Sequence, residues 1–374
     1  MSVDILIYAE DPGAANYVAG LPAALAELGL KTCLVADGHA YPYLVGRGIR
    51  PETVGCSETA GELLGRLKPR LLCVGTSENP DTFGFDLIAS AKRKGIKTIG
   101  VIDAYGNADY RFRGKTDDPL AYATEWLAVP DPWTEAVYTS LGFPAQRIAV
   151  CGHPHYDHVL KEVARLARED RRRLRKRMFT AKRADDPVVV FVSEISTGLN
   201  PGRYSYSGDY TLHGRGVSRG RTEIVIEEFL DALAFSGQGT YRVLRMHPKN
   251  TREELASFLN DFQQISQNDA VLELVYASDL VVGMTSMLLM EAAVMGRRTL
   301  SVVPRREEGE SLPTIRAGIT PCVWTRETLR AILPDLLDPC RPKTTMAENE
   351  PFVQSGSLQK TAAFITEVLS FHTH

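Results

Sequence analysis

At 374 residues the chain is too long for one ordinary hydrophobic core, so two domains are expected. Its 44% apolar and 24% charged residues are those of a globular protein, and a formal charge of -3 carries none of the basic surplus that nucleic acid requires. No apolar run reaches the roughly 18 residues that span a bilayer. The opening stretch MSVDILIYAEDPG lacks a basic n-region and reads as a first strand, which predicts a cytoplasmic protein.

The first half alternates short β-rich runs with helical patterns. VDILIY, KTCLVA, RLLCVG, KTIGVI, EWLAV and RIAVCG are strands. AANYVAGLPAALAELGL and FDLIASAKRKG are helices, each stopped at a glycine. Continuous apolar strands between amphipathic helices predict a parallel, doubly wound sheet. Cys33, Cys73 and Cys151 lie in strands, whereas Cys56, Cys322 and Cys340 are scattered. No C-x-x-C pair occurs, so buried free thiols are expected, with no zinc site and no disulfide framework.

KEVARLAREDRRRLRKRMFTAKRADDP, running from Lys161 to Pro187, connects the two halves. It reads as a solvated helix face or as a basic patch that meets anionic lipid or an anionic acceptor. The second reading puts the protein at the periphery of the inner membrane.

The alternation then restarts. PVVVFVSE, YRVLRMHP, SDLVVG and RTLSVV are strands. TEIVIEEFLDALAFSG, TREELASFLNDFQQI, the segment around Glu291, TRETLRAILPDLL and LQKTAAFITEVLSF are helices. The predicted organisation is an N-terminal domain over 1–157, a linker helix over 158–186, a C-terminal domain over 187–355 and a closing helix over 356–374.

Ligands of open α/β sheets bind beyond the carboxyl ends of strands, so the strand-to-helix turns hold the candidate sites. After SDLVVG, Thr285 and Ser286 stand where a helix begins. Free backbone N–H groups and a partial positive charge there suit a diphosphate. Glu291, on an otherwise apolar helix, can accept hydrogen bonds from two ribose hydroxyls. Arg245, His247 and Lys249 alternate along VLRMHPKN and so are expected on one face, toward phosphate. Ser193 ends the strand of VFVSE. The long stretch that follows, rich in Gly, Ser, Tyr and Arg, reads as a lid or binding loop. Its Arg203, Arg215, Arg219 and Arg221 are candidates for phosphate, and Tyr204, Tyr206 and Tyr210 for stacking on a sugar or base.

In the first half, IYAEDPGAANY supplies Glu10, Asp11 and Gly13, and GVIDAYGNADYRFRG supplies Asp103, Asn107, Asp109, Arg111 and Arg113. Asp103 and Asp11 are the candidates for a general base that deprotonates an acceptor hydroxyl. In CGHPHYDHV, His153, His155 and Asp157 cluster, but the two histidines flank a proline and no second ligand cluster is evident, so a turn is expected there and no metal.

GHPHYD, LRMHP and GMTSMLLMEAAVMGRRTLSV together resemble glycosyltransferases of the GT-B fold. The similar groups are the lipid-A-disaccharide synthases, the UDP-N-acetylglucosamine 2-epimerases and the CDP-glycerol glycerophosphotransferases. The resemblance is strongest over residues 243–303, weaker over 151–157, and architectural in the first half. It implies two tandem Rossmann-like doubly wound domains facing a cleft. It also implies a nucleotide-sugar co-substrate, no separate cofactor and a hydroxyl acceptor. Carried over, Thr285 and Ser286 meet the phosphates, Glu291 the ribose, and His247 lines the donor site. The sequence departs from the pattern at Met284, in the Asn200–Arg221 insertion, and in lacking a first-domain histidine base. There is no Asp-x-Asp motif, which fits metal-independent transfer. A CDP-linked polyol- or ribosyl-phosphate transferase, a 2-epimerase or hydrolase, and a non-catalytic glycan-binding protein are the alternatives.

Overall fold

The computed structural model describes residues 2–77, 79–179, 186–195, 201–267, 270–340 and 355–371. The chain divides into two compact units, Met1–His158 with Val353–His374, and Val159–Phe352.

Unit 1 runs β1 (Ile5–Ala9), α1 (Pro12–Val18), α2 (Leu21–Glu27), β2 (Thr32–Ala36), α3 (Ala40–Gly46), α4 (Ala60–Leu67), β3 (Leu71–Gly75) and α5 (Phe83–Arg93). It continues with β4 (Lys97–Val101), α6 (Ala108–Arg111), β5 (Trp126–Val129), α7 (Pro132–Ser140) and β6 (Ile148–Val150). The six strands form one parallel sheet in the order β2-β1-β3-β4-β5-β6. Every residue of β1 and β3 is buried, as expected of strands covered on both faces. The expected helix over residues 14–30 is two helices. Pro22 lies at the start of α2, where its missing N–H and its ring cannot continue α1.

α8 (His155–Leu166) crosses the boundary between the units, and α9 (Arg171–Met178) belongs to unit 2. There follow β7 (Val188–Val192), α10 (Pro201–Tyr204), α11 (Arg221–Ser236), β8 (Tyr241–Arg245), β9 (Gln264–Ser266), α12 (Val271–Ala277), β10 (Leu280–Gly283) and α13 (Met287–Val294). The unit closes with β11 (Arg298–Val302), α14 (Pro313–Arg316), β12 (Cys322–Val323) and α15 (Arg326–Leu337). Its parallel sheet has the order β12-β11-β10-β7-β8-β9. The helix expected over 251–265 is absent. That stretch is a series of i-to-i-3 turns, such as Phe258 N–H to Leu255 O at 3.0 Å, which bury Leu255, Phe258 and Phe262.

α16 (Ser357–Ser370) packs in unit 1, where Ile365 and Val368 join the core of Ile5, Ile7 and Ile99. Asp157 accepts the Gly356 and Leu358 N–H groups at 2.8 and 2.7 Å at its start. Lys97 Nζ donates to the Val368 and Leu369 carbonyls at 3.0 and 3.2 Å at its end, where a cation is favoured.

Cys33, Cys73 and Cys151 are buried free thiols, but Cys56 and Cys340 are exposed, contrary to expectation, because both fall outside the strands. Among the described residues no helix is long and apolar enough to cross a membrane.

Candidate functional site

In unit 2 the strand order reverses between β7 and β10, which pair through Leu280 with Val189 and Val282 with Phe191. In doubly wound sheets that reversal is where ligands sit, beyond the carboxyl ends of the strands. Ser193 and Glu194 follow β7 there, and Met284, Thr285 and Ser286 follow β10. Ser286 caps α13, its hydroxyl accepting the Leu288 N–H at 3.2 Å. Glu291 is buried in the second turn of α13, 6% exposed. Met284 is fully buried in the unit 2 core, and its carbonyl accepts the Ser301 hydroxyl at 2.6 Å. Its apolar side chain is thus a packing feature of the turn.

Thr285 donates its N–H to Glu194 Oε1 at 2.5 Å and its hydroxyl to Oε2 at 3.0 Å. Glu194 Oε2 also accepts Arg221 Nη1 at 2.8 Å. Arg221 opens α11, is 1% exposed, and grips Glu308 through Nε at 2.9 Å and through Nη2. Burial works to raise the Glu194 carboxyl, but the Arg221 guanidinium and Thr285 hold it below the usual carboxylate range. Burial likewise opposes the Arg221 charge, and the two carboxylates overcome it and keep the guanidinium protonated.

The expectation for Arg221 is therefore corrected: it is a buried ion-pair partner at a helix start. The stretch expected to be structureless carries backbone pairing. Tyr206 N–H donates to Arg219 O at 2.8 Å, and Ser205 pairs with Gly220 in an antiparallel bridge. Tyr204 and Tyr210 are buried, and Arg305 lies 4.3 Å from the Tyr210 ring centre. Arg215 pairs with Asp231 at 2.7 Å, and Arg219 lies over the Tyr206 ring. The Arg203 side chain and residues 196–200 lie outside the described residues.

Strand β8 ends at Arg245, so the expected alternation does not reach His247 or Lys249. Arg245 is buried and donates Nη1 to Ser266 on β9 at 2.9 Å. Ser193 is fully buried; its hydroxyl donates to Asn250 Oδ1 at 2.7 Å and accepts the His247 N–H at 3.0 Å. His247 Nδ1 accepts the Lys249 N–H at 3.1 Å, which leaves the ring proton on Nε2 as a donor. Ser193 and Asn250 thus fix the turn that carries His247.

In unit 1 the order reverses between β1 and β3. Asp11, which precedes α1, accepts the Ser77 hydroxyl at 3.0 Å. Thr76 donates its hydroxyl to Asp103 Oδ1 at 2.5 Å. Asp103 follows β4 and is buried against Gly13, where any Cβ would overlap its Oδ2. Burial raises the Asp103 carboxyl above the ordinary aspartate value; Arg111 and Thr76 pull it down in part, and Asp11 adds to the rise. The two sequence candidates for the base therefore belong to one buried cluster.

His153 completes it from below. Its Nε2–H donates to the Asp103 carbonyl at 3.2 Å, while Nδ1 accepts the His155 N–H at 3.3 Å. Burial, helped by His155, pushes it down to about 3, so the ring is neutral at physiological pH. The GHPHYD motif thus supports the Asp103 turn through His153 and caps α16 through Asp157. Glu194 and Thr76 were missed by sequence reasoning as parts of the sites; that Thr76 directly follows β3 and Glu194 lies two residues beyond β7 was the available signal.

No protein-family model matches the chain, and no curated protein does. Solved structures do. The S. aureus MnaA–UDP co-structure is 15% identical with a TM-score of 0.68, covering 99% of this chain and 98% of that one. The UDP-GlcNAc 2-epimerase from Neisseria meningitidis bound to UDP-GlcNAc is 14% identical with a TM-score of 0.65, covering 99% of both chains. A glycosyltransferase from Rickettsia africae is 11% identical with a TM-score of 0.56, covering 98% of this chain and 99% of that one. Two Rossmann-like units with parallel six-stranded sheets, similar over their whole length to these structures, give the chain the GT-B fold.

Proposed function

We propose that the protein is an enzyme acting on a nucleoside-diphosphate sugar, and that it transfers the sugar to a hydroxyl acceptor. The observation that carries the reading is α13. It starts at the strand-order reversal of unit 2 with Thr285 and Ser286 at its head and a buried Glu291 in its second turn. In this reading the α13 N–H groups and the His247 Nε2–H balance the charge that grows on the departing diphosphate. Glu291 takes the ribose hydroxyls. Asp103, with its raised carboxyl and its partner Asp11, moves the proton of the reaction. A resident metal has no part in this scheme, so activity should survive a chelator.

The greater likeness to the UDP-GlcNAc 2-epimerase, with a TM-score of 0.65 against 0.56 for the glycosyltransferase, favours a second reading. In it the same carboxylates move the proton at C2 of the sugar. Incubation with UDP-, GDP-, ADP-, CDP- and dTDP-sugars separates the two. Transfer gives free nucleoside diphosphate with acceptor present, and epimerisation gives an epimeric nucleotide sugar with none. If neither product forms from any donor, the enzymatic reading fails.

The basic segment supports a peripheral contact. Arg171 and Arg175 hold Asp279 at 3.0 and 2.9 Å, but Arg172, Arg173 and Lys176 on α9 are exposed. We propose that this face meets an anionic membrane surface.

A further inference from the structure

We propose that Glu194 is a gating residue of the donor site: its carboxylate occupies the anion position at the head of α13 and must swing out before a diphosphate can bind. The inference rests on the reading of α13 as the donor site. Glu194 presents two oxygens to the Thr285 N–H and hydroxyl, at 2.5 and 3.0 Å, the donors a phosphate oxygen would use. Its side chain is 14% exposed, so a ligand can reach it.

The main chain at Glu194 is fixed, so opening of the site falls to its side chain. The Glu194 carbonyl accepts the Thr222 hydroxyl at 2.9 Å and Asn250 Nδ2 at 3.4 Å, while the Ser193 N–H is held by Arg245 O at 2.9 Å. Arg221 and Arg305 face three carboxylates, Glu194, Glu308 and Asp209. That is one negative charge in excess. When Glu194 leaves, Arg221, Arg305, Glu308 and Asp209 balance, and the incoming diphosphate no longer faces that excess. With Glu194 in place, a diphosphate would meet a carboxylate at hydrogen-bond distance. The same carboxylate discriminates: it holds the site against weakly bound anions and yields to a ligand that also has ribose contacts to offer.

The test is calorimetric titration of UDP into the full-length protein and into Glu194→Gln. Gln keeps the shape and removes the charge, so the variant should bind UDP at least 10-fold tighter, a difference of about 1.4 kcal/mol. Glu194→Asp keeps the charge but is too short to reach Thr285, and it should tighten binding as well; it serves if the Gln variant melts too low to assay. Wild-type binding with equal or weaker binding by the folded variants overturns the gate and leaves the donor-site reading standing. No binding by any of the three proteins, of UDP or of GDP, ADP, CDP or dTDP titrated in the same way, removes both.

Discussion

Thr76 donates its hydroxyl to Asp103 Oδ1 at 2.5 Å inside a cluster that also holds Asp11, 27 positions of sequence being folded into one hydrogen bond. The bond favours the ionised carboxylate, while burial and Asp11 favour the protonated acid. Burial prevails, and Asp103 is tuned upward from the ordinary aspartate value, toward the range of a working acid or base.

That direction fixes a pH dependence. The folded chain holds the Asp103 proton more tightly than the unfolded chain does. The contribution to stability is complete below the ordinary aspartate pKa and is lost as pH rises through the higher folded value. Asp103→Asn should therefore raise the melting temperature at pH 7 and change it little at pH 3. Turnover should fall by about 10²- to 10⁴-fold. Equal stabilisation at both pH values would contradict the burial argument.

Gly13 gives Asp103 its place, since a Cβ there would overlap the carboxylate. Gly13→Ala should cost roughly 1–3 kcal/mol by overpacking and reduce activity as strongly as loss of Asp103. Asp103→Ala in the same chain should return much of that stability. A double-mutant cycle by urea denaturation measures the coupling, and additive effects would show that the two positions do not touch.

Arg221 is 1% exposed between Glu194 and Glu308. Arg221→Met leaves Glu194 without its cation and Glu308 with Arg305 alone, and should destabilise the protein by about 3–5 kcal/mol. A change in the urea midpoint equivalent to less than about 1 kcal/mol would mean that the pairs are not sealed from water.

Arg172, Arg173 and Lys176 are expected to drive binding to vesicles containing phosphatidylserine at roughly 1 kcal/mol per residue. Reversing all three to Glu should abolish cosedimentation at low salt. Retention of the triple variant on vesicles would place the contact elsewhere.

Much of the fold is legible in the sequence because continuous apolar runs such as ILIYA and LLCVG are long enough to specify buried strands. β9 and β12, of three and two residues, are too short to leave a pattern, and TREELASFL has helical spacing yet folds as turns around Leu255 and Phe258. The polar residues after strands were legible as candidates. What they bond to was not: Arg221 reaches Glu308, 87 positions away, and His153 reaches Asp103, 50 positions away. Periodicity carries no information about such pairs, and an arginine in a Gly- and Ser-rich stretch reads as exposed until its carboxylates are placed.

The central claim is that α13 binds a nucleoside diphosphate. Thermal melting of the wild-type protein and of Glu291→Ala with UDP, GDP, ADP, CDP and dTDP tests it most directly. One nucleotide at about 100 times its Kd should add roughly 2.7 kcal/mol to the wild type. At about 2–4 °C per kcal/mol, that is a shift of several degrees. The same nucleotide should leave Glu291→Ala unshifted while the two proteins unfold cooperatively without ligand. No shift with any nucleotide, or an equal shift in Glu291→Ala, would contradict the account.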